Sequence, residues 1–133
     1  METDTGSFVR DYYEALRRGD PLDPYFHERP DVVKVGVFSR LVGGSRVAEA
    51  LRRQTTRTTD WAVESAGLRA FDRGGHAHFV DGVRLAWTDT RTDRRHDFDT
   101  RWTGLVEASD DGPLFVSVHV SAAQPRDDGD EGG

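Results

Sequence analysis

The second half of the chain alternates apolar and polar side chains with a period of two, and this alternation limits the possible folds more than any other feature. Three short runs of turn-forming residues, at 72–75, 89–93 and 109–112, interrupt it. Side chains of a β-strand point alternately to opposite faces, so the pattern predicts long strands joined by tight turns. We place four strands, at 61–71, 76–88, 96–108 and 114–121.

The first half of the chain follows a helical period instead. Phe8, Tyr12 and Leu16 recur at a spacing of four residues, which predicts one helix over Ser7–Arg18 that ends at Gly19.

Shorter elements are expected between this helix and the strands. The pair Asp20-Pro21 predicts the N-cap of a short second helix. A β-branched run at 32–38 predicts a strand, and Ser45 is placed as the N-cap of a helix that reaches Gln54.

Length and tail composition set the domain boundaries. A chain of 133 residues has the size of one domain. We expect disorder at residues 1–6, one folded domain at 7–123 and a disordered acidic tail at 124–133, because these ends contain few apolar residues.

Composition also argues against several classes of function. The net charge of −6 disfavours nucleic-acid binding, and no apolar run is long enough to span a membrane. The chain has no cysteine, and its start lacks the basic and apolar segments of a signal peptide. We therefore expect a cytoplasmic protein with no nucleic-acid or membrane partner.

Helices followed by a meander of long strands predict an α+β domain in which the helices cover one face of a curved antiparallel sheet. Such a sheet has a concave side with an open mouth. Small-molecule sites favour concave surfaces of this kind.

Short motifs in the last strands resemble a known family. The strand ending His119-Val120-Ser121 resembles that of SnoaL-like domains in the nuclear transport factor 2-like superfamily. The segments 99–102 and 83–85 look like neighbouring strands of the association domain of calcium/calmodulin-dependent kinase. The resemblance implies a cone-shaped α+β barrel and, commonly, a homodimer formed through the sheet. The superfamily includes isomerases, dehydratases, cyclases, binding modules and scaffolds.

The pattern and the resemblance disagree about which face of the strand at 96–107 points inward. The pattern alone turns Phe98 and Trp102 toward the helices and leaves Arg101 in water. The resemblance implies that Arg101 points into the cone and that an apolar face with Trp87, Phe98, Trp102 and Phe115 packs across a dimer. Both orientations stay open at this point.

Two arginines are the predicted ligand anchors. If Arg84 and Arg101 both point inward from neighbouring strands, their guanidinium groups suit a carboxylate. The other predicted ligand-binding residues are aromatic or imidazole side chains: Tyr25, Phe26, Trp61 and His78.

Catalysis is the alternative use of the same cone. Tyr12 would donate a hydrogen bond to a developing oxyanion, and Asp99 or a histidine would act as the base. His76 and His78 have a spacing found in metal sites, but no further ligands complete a set, so we predict neither a metal nor a cofactor.

The function predicted from the sequence is a dimeric SnoaL-like domain that binds a small acidic or polar-aromatic molecule. The alternatives are an isomerase, dehydratase or cyclase that uses the same pocket, and a dimerisation scaffold without a ligand.

Overall fold

Two helices lie against one face of a seven-stranded sheet in the computed structural model, which describes residues 4–123. In chain order the elements are α1 (Asp4–Arg18), a 3-10 turn (Asp23–Tyr25), β1 (Val33–Val35), β2 (Arg40–Val42), α2 (Gly44–Arg57), β3 (Thr58–Ser65), β4 (Arg69–Asp72), β5 (His76–Asp89), β6 (Arg94–Ser109) and β7 (Gly112–Ala122). The α+β class predicted from the sequence is confirmed.

The sheet is open and mixed. Its strand order is β2-β1-β7-β6-β5-β3, and β4 pairs with β5 beside β3. The β1–β7 pair is parallel, whereas the other pairs are antiparallel. The long strands β5, β6 and β7 form the centre of the sheet, and this arrangement is the predicted meander.

The core lies between α1 and the central strands. On α1, the side chains of Val9, Tyr12 and Tyr13 are at most 1% exposed. The Tyr12 ring meets Phe115 edge-on at 5.1 Å, and Tyr13 meets Trp102 in the same way at 5.3 Å. Burying these large rings drives the helix onto the sheet.

The orientation of the sheet follows the alternation pattern and not the resemblance. β5 and β6 pair without a register shift from His76↔Glu107 to Asp89↔Arg94, so no bulge at Gly82 changes the faces. Trp102 is 3% exposed and lies toward the helices, while Arg84 and Arg101 are exposed on the outer face. The expectation that both arginines point into the cone is wrong, because aromatic side chains occupy that side and guanidinium groups among them would lose their water.

Several predicted boundaries also need correction. α1 begins at Asp4, and the Thr5 hydroxyl donates to Asp72 at 2.9 Å. Residues 4–6 are therefore helical, and the prediction that they are disordered is wrong. The N-cap of α2 is Gly43, at φ 104°, and not Ser45. Asp20 forms an ion pair with Arg18 at 3.1 Å and does not cap a helix. The predicted tail at 124–133 and residues 1–3 lie outside the described residues.

The predicted strand at 61–71 is two strands, β3 and β4. Asp81 accounts for the break between them. Its buried carboxylate accepts hydrogen bonds from the Ser65 hydroxyl at 2.5 Å and from the Gly67 amide at 3.1 Å, which holds a turn at this point.

Within residues 4–123, neither helix is long and apolar enough to cross a bilayer.

Candidate functional site

A cavity of about 200 Å³ opens on the concave side of the sheet. Its walls come from both helices, from the loop at 36–39 and from the central strands. The lining residues are Tyr12, Leu16, Lys34, Gly36, Val37, Phe38, Ser39, Gln54, Thr58, Trp61, Leu85, Trp87, Trp102 and Val120. Most of this surface is apolar and aromatic.

All three tryptophans of the chain line this cavity. Trp61 and Trp87 stack with their ring centroids 4.9 Å apart and their planes at 16°. The Trp61 indole N–H donates to Thr58 at 2.9 Å, and that of Trp102 donates to Thr100 at 3.0 Å. These bonds hold two of the rings in place, so part of the aromatic lining is fixed without a ligand.

Lys34 is the only lysine of the chain and the only cationic side chain among the described residues that line this cavity. It lies on β1, in register with Val118 of β7. Neighbours in register project to the same face, and Val118 is buried in the core at 1% exposure. The Lys34 side chain therefore extends into the concave side.

The ammonium group of Lys34 lies beside Gly36. A Cβ atom added at Gly36 would lie 3.5 Å from Lys34 Nζ and 3.3 Å from Ser39 Oγ. The amine and the hydroxyl therefore border the same small space at the rim of the cavity, and the absence of a side chain at Gly36 leaves that space open.

Lys34 has no carboxylate partner within residues 4–123. Neither an ion pair nor a hydrogen bond engages its ammonium group there. Burial lowers the pKa of Lys34 to about 8, because the charged form loses water without gaining a counter-ion. Near neutral pH the side chain is a cation that an anionic ligand group would stabilise.

A second cavity, of about 260 Å³, lies on the other side of Lys34. Lys34, Ser39 and Gln54 line both cavities, and α2 adds Arg53 and Arg57 to the second. Arg53 pairs with Glu49 at 2.8 Å. Among the described residues, no carboxylate lines either cavity.

Phe38 covers part of the cavity mouth. Its side chain is 70% exposed, and its ring approaches Trp87, His96 and Phe98 at centroid distances of 6.4, 5.6 and 5.8 Å. An aromatic side chain so exposed contributes little to the core, but it narrows the entrance.

The structure brings two of the predicted site residues, Tyr12 and Trp61, to the cavity. Burial raises the pKa of Tyr12 above its usual range, so this phenol stays protonated. Tyr25 and Phe26 do not line the cavity and pack on Tyr12 at centroid distances of 5.4 and 6.0 Å. They support Tyr12 within the core.

The remaining predicted residues lie on the outer face of the sheet. Arg84 forms two hydrogen bonds to Asp97, at 3.0 and 2.7 Å, and Arg101 and Asp99 are exposed. The bonds to Asp97 raise the pKa of Arg84. His78 is exposed and stacks on Phe71 at 5.0 Å. The structure therefore separates Asp99 from Tyr12 and both arginines from the cavity.

The sequence analysis missed Lys34, Ser39, Gln54 and Trp87 as residues of one site. One signal was available for Lys34, since a single lysine among 18 basic residues stands in a β-branched run that predicts a strand. Gln54 comes from α2 and Ser39 from a loop, and no spacing in the sequence connects them.

Comparison with known proteins identifies the fold. No family model matches the chain, and no curated protein matches it. A candidate dehydratase of the nuclear transport factor 2-like family from Streptomyces avermitilis superposes with a TM-score of 0.80 at 17% identity, over 92% of this chain and 95% of that one. This chain has the nuclear transport factor 2-like fold.

Other solved structures also superpose on this chain. A superfamily member from Salmonella enterica serovar Typhimurium superposes with a TM-score of 0.77 at 15% identity, covering 92% of this chain and 91% of that chain. A ketosteroid isomerase-like protein from Erwinia carotovora atroseptica has a TM-score of 0.72 at 18% identity, with coverage of 90% and 93%. At these identities the likeness concerns the fold alone, and function must be argued from the site.

Proposed function

We propose that the aromatic cavity binds a small molecule with one aromatic ring and an anionic or strongly polar group, and that Lys34 contacts that group. The observation that carries this proposal is the combination of three tryptophans with one unpaired cation at the rim of a single cavity. This combination supports a ligand that is acidic or polar-aromatic, as the sequence analysis predicted.

The volume of the cavity sets the size of the ligand. A dry cavity of roughly 150 Å³ holds a benzene molecule, so about 200 Å³ suits one ring with a small substituent. The aromatic lining, which includes Trp61, Trp87 and Trp102, provides apolar contacts for such a ring. The polar substituent would lie toward Lys34, Ser39 and Gln54.

A titration with benzoate tests this proposal. Because every tryptophan lines the cavity, tryptophan fluorescence reports on it, and a thermal shift reports binding independently. Ionic strength is held constant so that screening does not imitate binding. We expect benzoate to quench fluorescence and raise the melting temperature, and Lys34→Gln to weaken binding by about 10- to 100-fold, the usual effect of losing a charged hydrogen bond.

Arg101→Ala and Arg84→Gln are the matched controls, because they remove cations from the outer face. Binding should be unchanged in both. If Arg101→Ala abolished binding and Lys34→Gln did not, the arginine anchors predicted from the sequence would be correct and the Lys34 site wrong. An absence of any benzoate response in the wild type would contradict the proposal.

An enzyme of the isomerase, dehydratase or cyclase type is the second candidate. The titratable side chains that line the cavity among residues 4–123 are Tyr12 and Lys34, and Asp99 is not among them. Tyr12 stays protonated and would serve as a hydrogen-bond donor, which leaves Lys34 as the group able to exchange a proton near neutral pH. This candidate predicts that Tyr12→Phe and Lys34→Gln would each abolish turnover.

A further inference from the structure

We propose that Lys34 acts as a nucleophilic amine that forms an imine with the carbonyl group of a small aromatic aldehyde held in the cavity. This inference rests on the proposed function, since the same cavity must first bind the aromatic ring. It adds a covalent step and a substrate class to that site.

The geometry places the amine where a carbonyl substituent would lie. A carbonyl substituent that occupies the space beside Gly36 would lie against Lys34 Nζ and Ser39 Oγ, which border that space. No carboxylate lines either cavity on the two sides of Lys34 within residues 4–123, so the described walls contain no counter-ion that would hold the amine as an ammonium ion.

The burial of Lys34 also favours the neutral amine. Desolvation lowers its pKa, and the second cavity adds Arg53 and Arg57 from α2 but no carboxylate. With the pKa of Lys34 lowered to about 8, roughly a tenth of the side chain is a free amine near pH 7, compared with well under a thousandth for an ordinary lysine. Desolvation of this kind activates lysine as a nucleophile.

The reaction balances without an oxidant or a reductant. The lone pair of Nζ attacks the carbonyl carbon, the C=O π electrons move to oxygen, and proton transfer gives a neutral carbinolamine. Loss of water then forms the C=N bond. One amine and one aldehyde therefore yield one imine and one water molecule. The Ser39 hydroxyl, on the same rim, is placed to hydrogen-bond the carbinolamine oxygen.

Reductive trapping tests the proposal. The protein is incubated with benzaldehyde and sodium cyanoborohydride near neutral pH, and peptide mapping by mass spectrometry locates any benzyl group. Only the α-amino group and Lys34 can react in this way, so the peptide map has to distinguish labelling at these two positions. We expect labelling of Lys34 to saturate with benzaldehyde concentration and to slow when benzoate competes.

The matched control moves the single lysine to the outer face, by combining Lys34→Gln with Arg84→Lys. Arg84 is exposed and lies outside the cavity, so a lysine there should react slowly and without saturation. We expect Lys34 of the wild type to react at least about ten-fold faster than this control lysine. Equal rates, or no labelling of Lys34, would overturn the proposal.

Fluorescence quenching by benzyl alcohol, which has the ring but no carbonyl group, separates the two possible failures. Quenching without labelling of Lys34 would refute the imine and leave the binding function standing. If neither benzyl alcohol nor benzoate quenched the tryptophans and Lys34 were not labelled, the proposed function would fail together with the imine.

Discussion

Lys34 is a residue whose burial lowers the stability of the folded chain. Its ammonium group is partly buried without a counter-ion, and a pKa of about 8 means that folding favours the neutral form. Between about pH 8 and the ordinary value of 10.5, the unfolded chain binds the proton more tightly than the folded chain does. The free energy of unfolding should therefore rise with pH across this window.

Lys34→Met removes this penalty. At pH 7 we expect the variant to be more stable than the wild type by about 1–3 kcal/mol, a range that allows for partial solvent screening. Urea unfolding between about pH 7 and 10 should show a rising midpoint in the wild type and a nearly constant one in the variant. A variant less stable than the wild type at pH 7 would show that Lys34 makes a stabilising contact instead.

Two glycines of the central strands differ in the space available for a side chain. A Cβ atom at Gly104 would lie 2.5 Å from Phe79 Cε1 and 2.5 Å from the Ser117 carbonyl oxygen, whereas one at Gly82 would find only Ala66 Cβ, at 3.7 Å. Gly104→Ala should destabilise the fold by about 2 kcal/mol or more, and Gly82→Ala by less than about 0.5 kcal/mol. Equal urea midpoints for the two variants would contradict the packing described for β6.

Asp81 joins several elements of the fold. Its carboxylate accepts from the Tyr13 hydroxyl of α1 at 2.9 Å and from Ser65 and Gly67 in the turn between β3 and β4. All three donors converge on one residue of β5 that is 2% exposed. Asp81 therefore ties α1 and the turn between β3 and β4 to the same point of β5.

Asp81→Ala should destabilise the protein by about 2–4 kcal/mol, because it leaves three donors without an acceptor in a buried place. Hydrogen exchange at the amide of Gly67 should accelerate in the variant more than exchange at the centre of β6. Tyr13→Phe serves as the comparison, since it removes one donor and leaves no donor unpaired there, and it should cost less. If Asp81→Ala cost no more than Tyr13→Phe, the network would not hold these elements together.

The elements differ in how far the sequence predicts them. The helical period around Tyr12 and the alternation around Trp102 predicted α1 and β6, because burial of one apolar face controls both. The break in the strand at 61–71 depends on Asp81, which lies in another strand, and local composition carries no sign of that contact. The inward orientation of Arg101 came from the resemblance, and the alternation pattern by itself was correct.

At the scale of the molecule, the cavity depends on contacts between distant segments. Lys34 is carried by β1, Gln54 by α2 and Trp87 by β5, and only the folded sheet brings them together. The aromatic character of the pocket was predicted through Tyr12 and Trp61. Lys34 was not predicted, because Arg84 and Arg101 form a pair on neighbouring strands, whereas a single lysine forms no pattern in the sequence.

The homodimer stays a prediction. Trp102 and Phe115, two of the aromatic side chains that suggested an apolar dimer surface, are buried within the chain at 3% and 0% exposure. On the outer face, Val80 is 42% exposed. If the dimer forms through this face, sedimentation equilibrium should give twice the chain mass of 14.9 kDa, and Val80→Asp should shift the protein toward the monomer. A wild type that stays monomeric at all concentrations would contradict the dimer.

The most direct test of the central claim is the pKa of Lys34 with and without a ligand. Protein labelled with ¹³C-lysine contains one labelled side chain, so a single Cε resonance can be followed against pH. We expect a pKa of about 8 in the free protein and a higher value when benzoate is bound, because the carboxylate stabilises the ammonium form. An ordinary pKa near 10.5 that benzoate leaves unchanged would place Lys34 in solvent and contradict the proposed site.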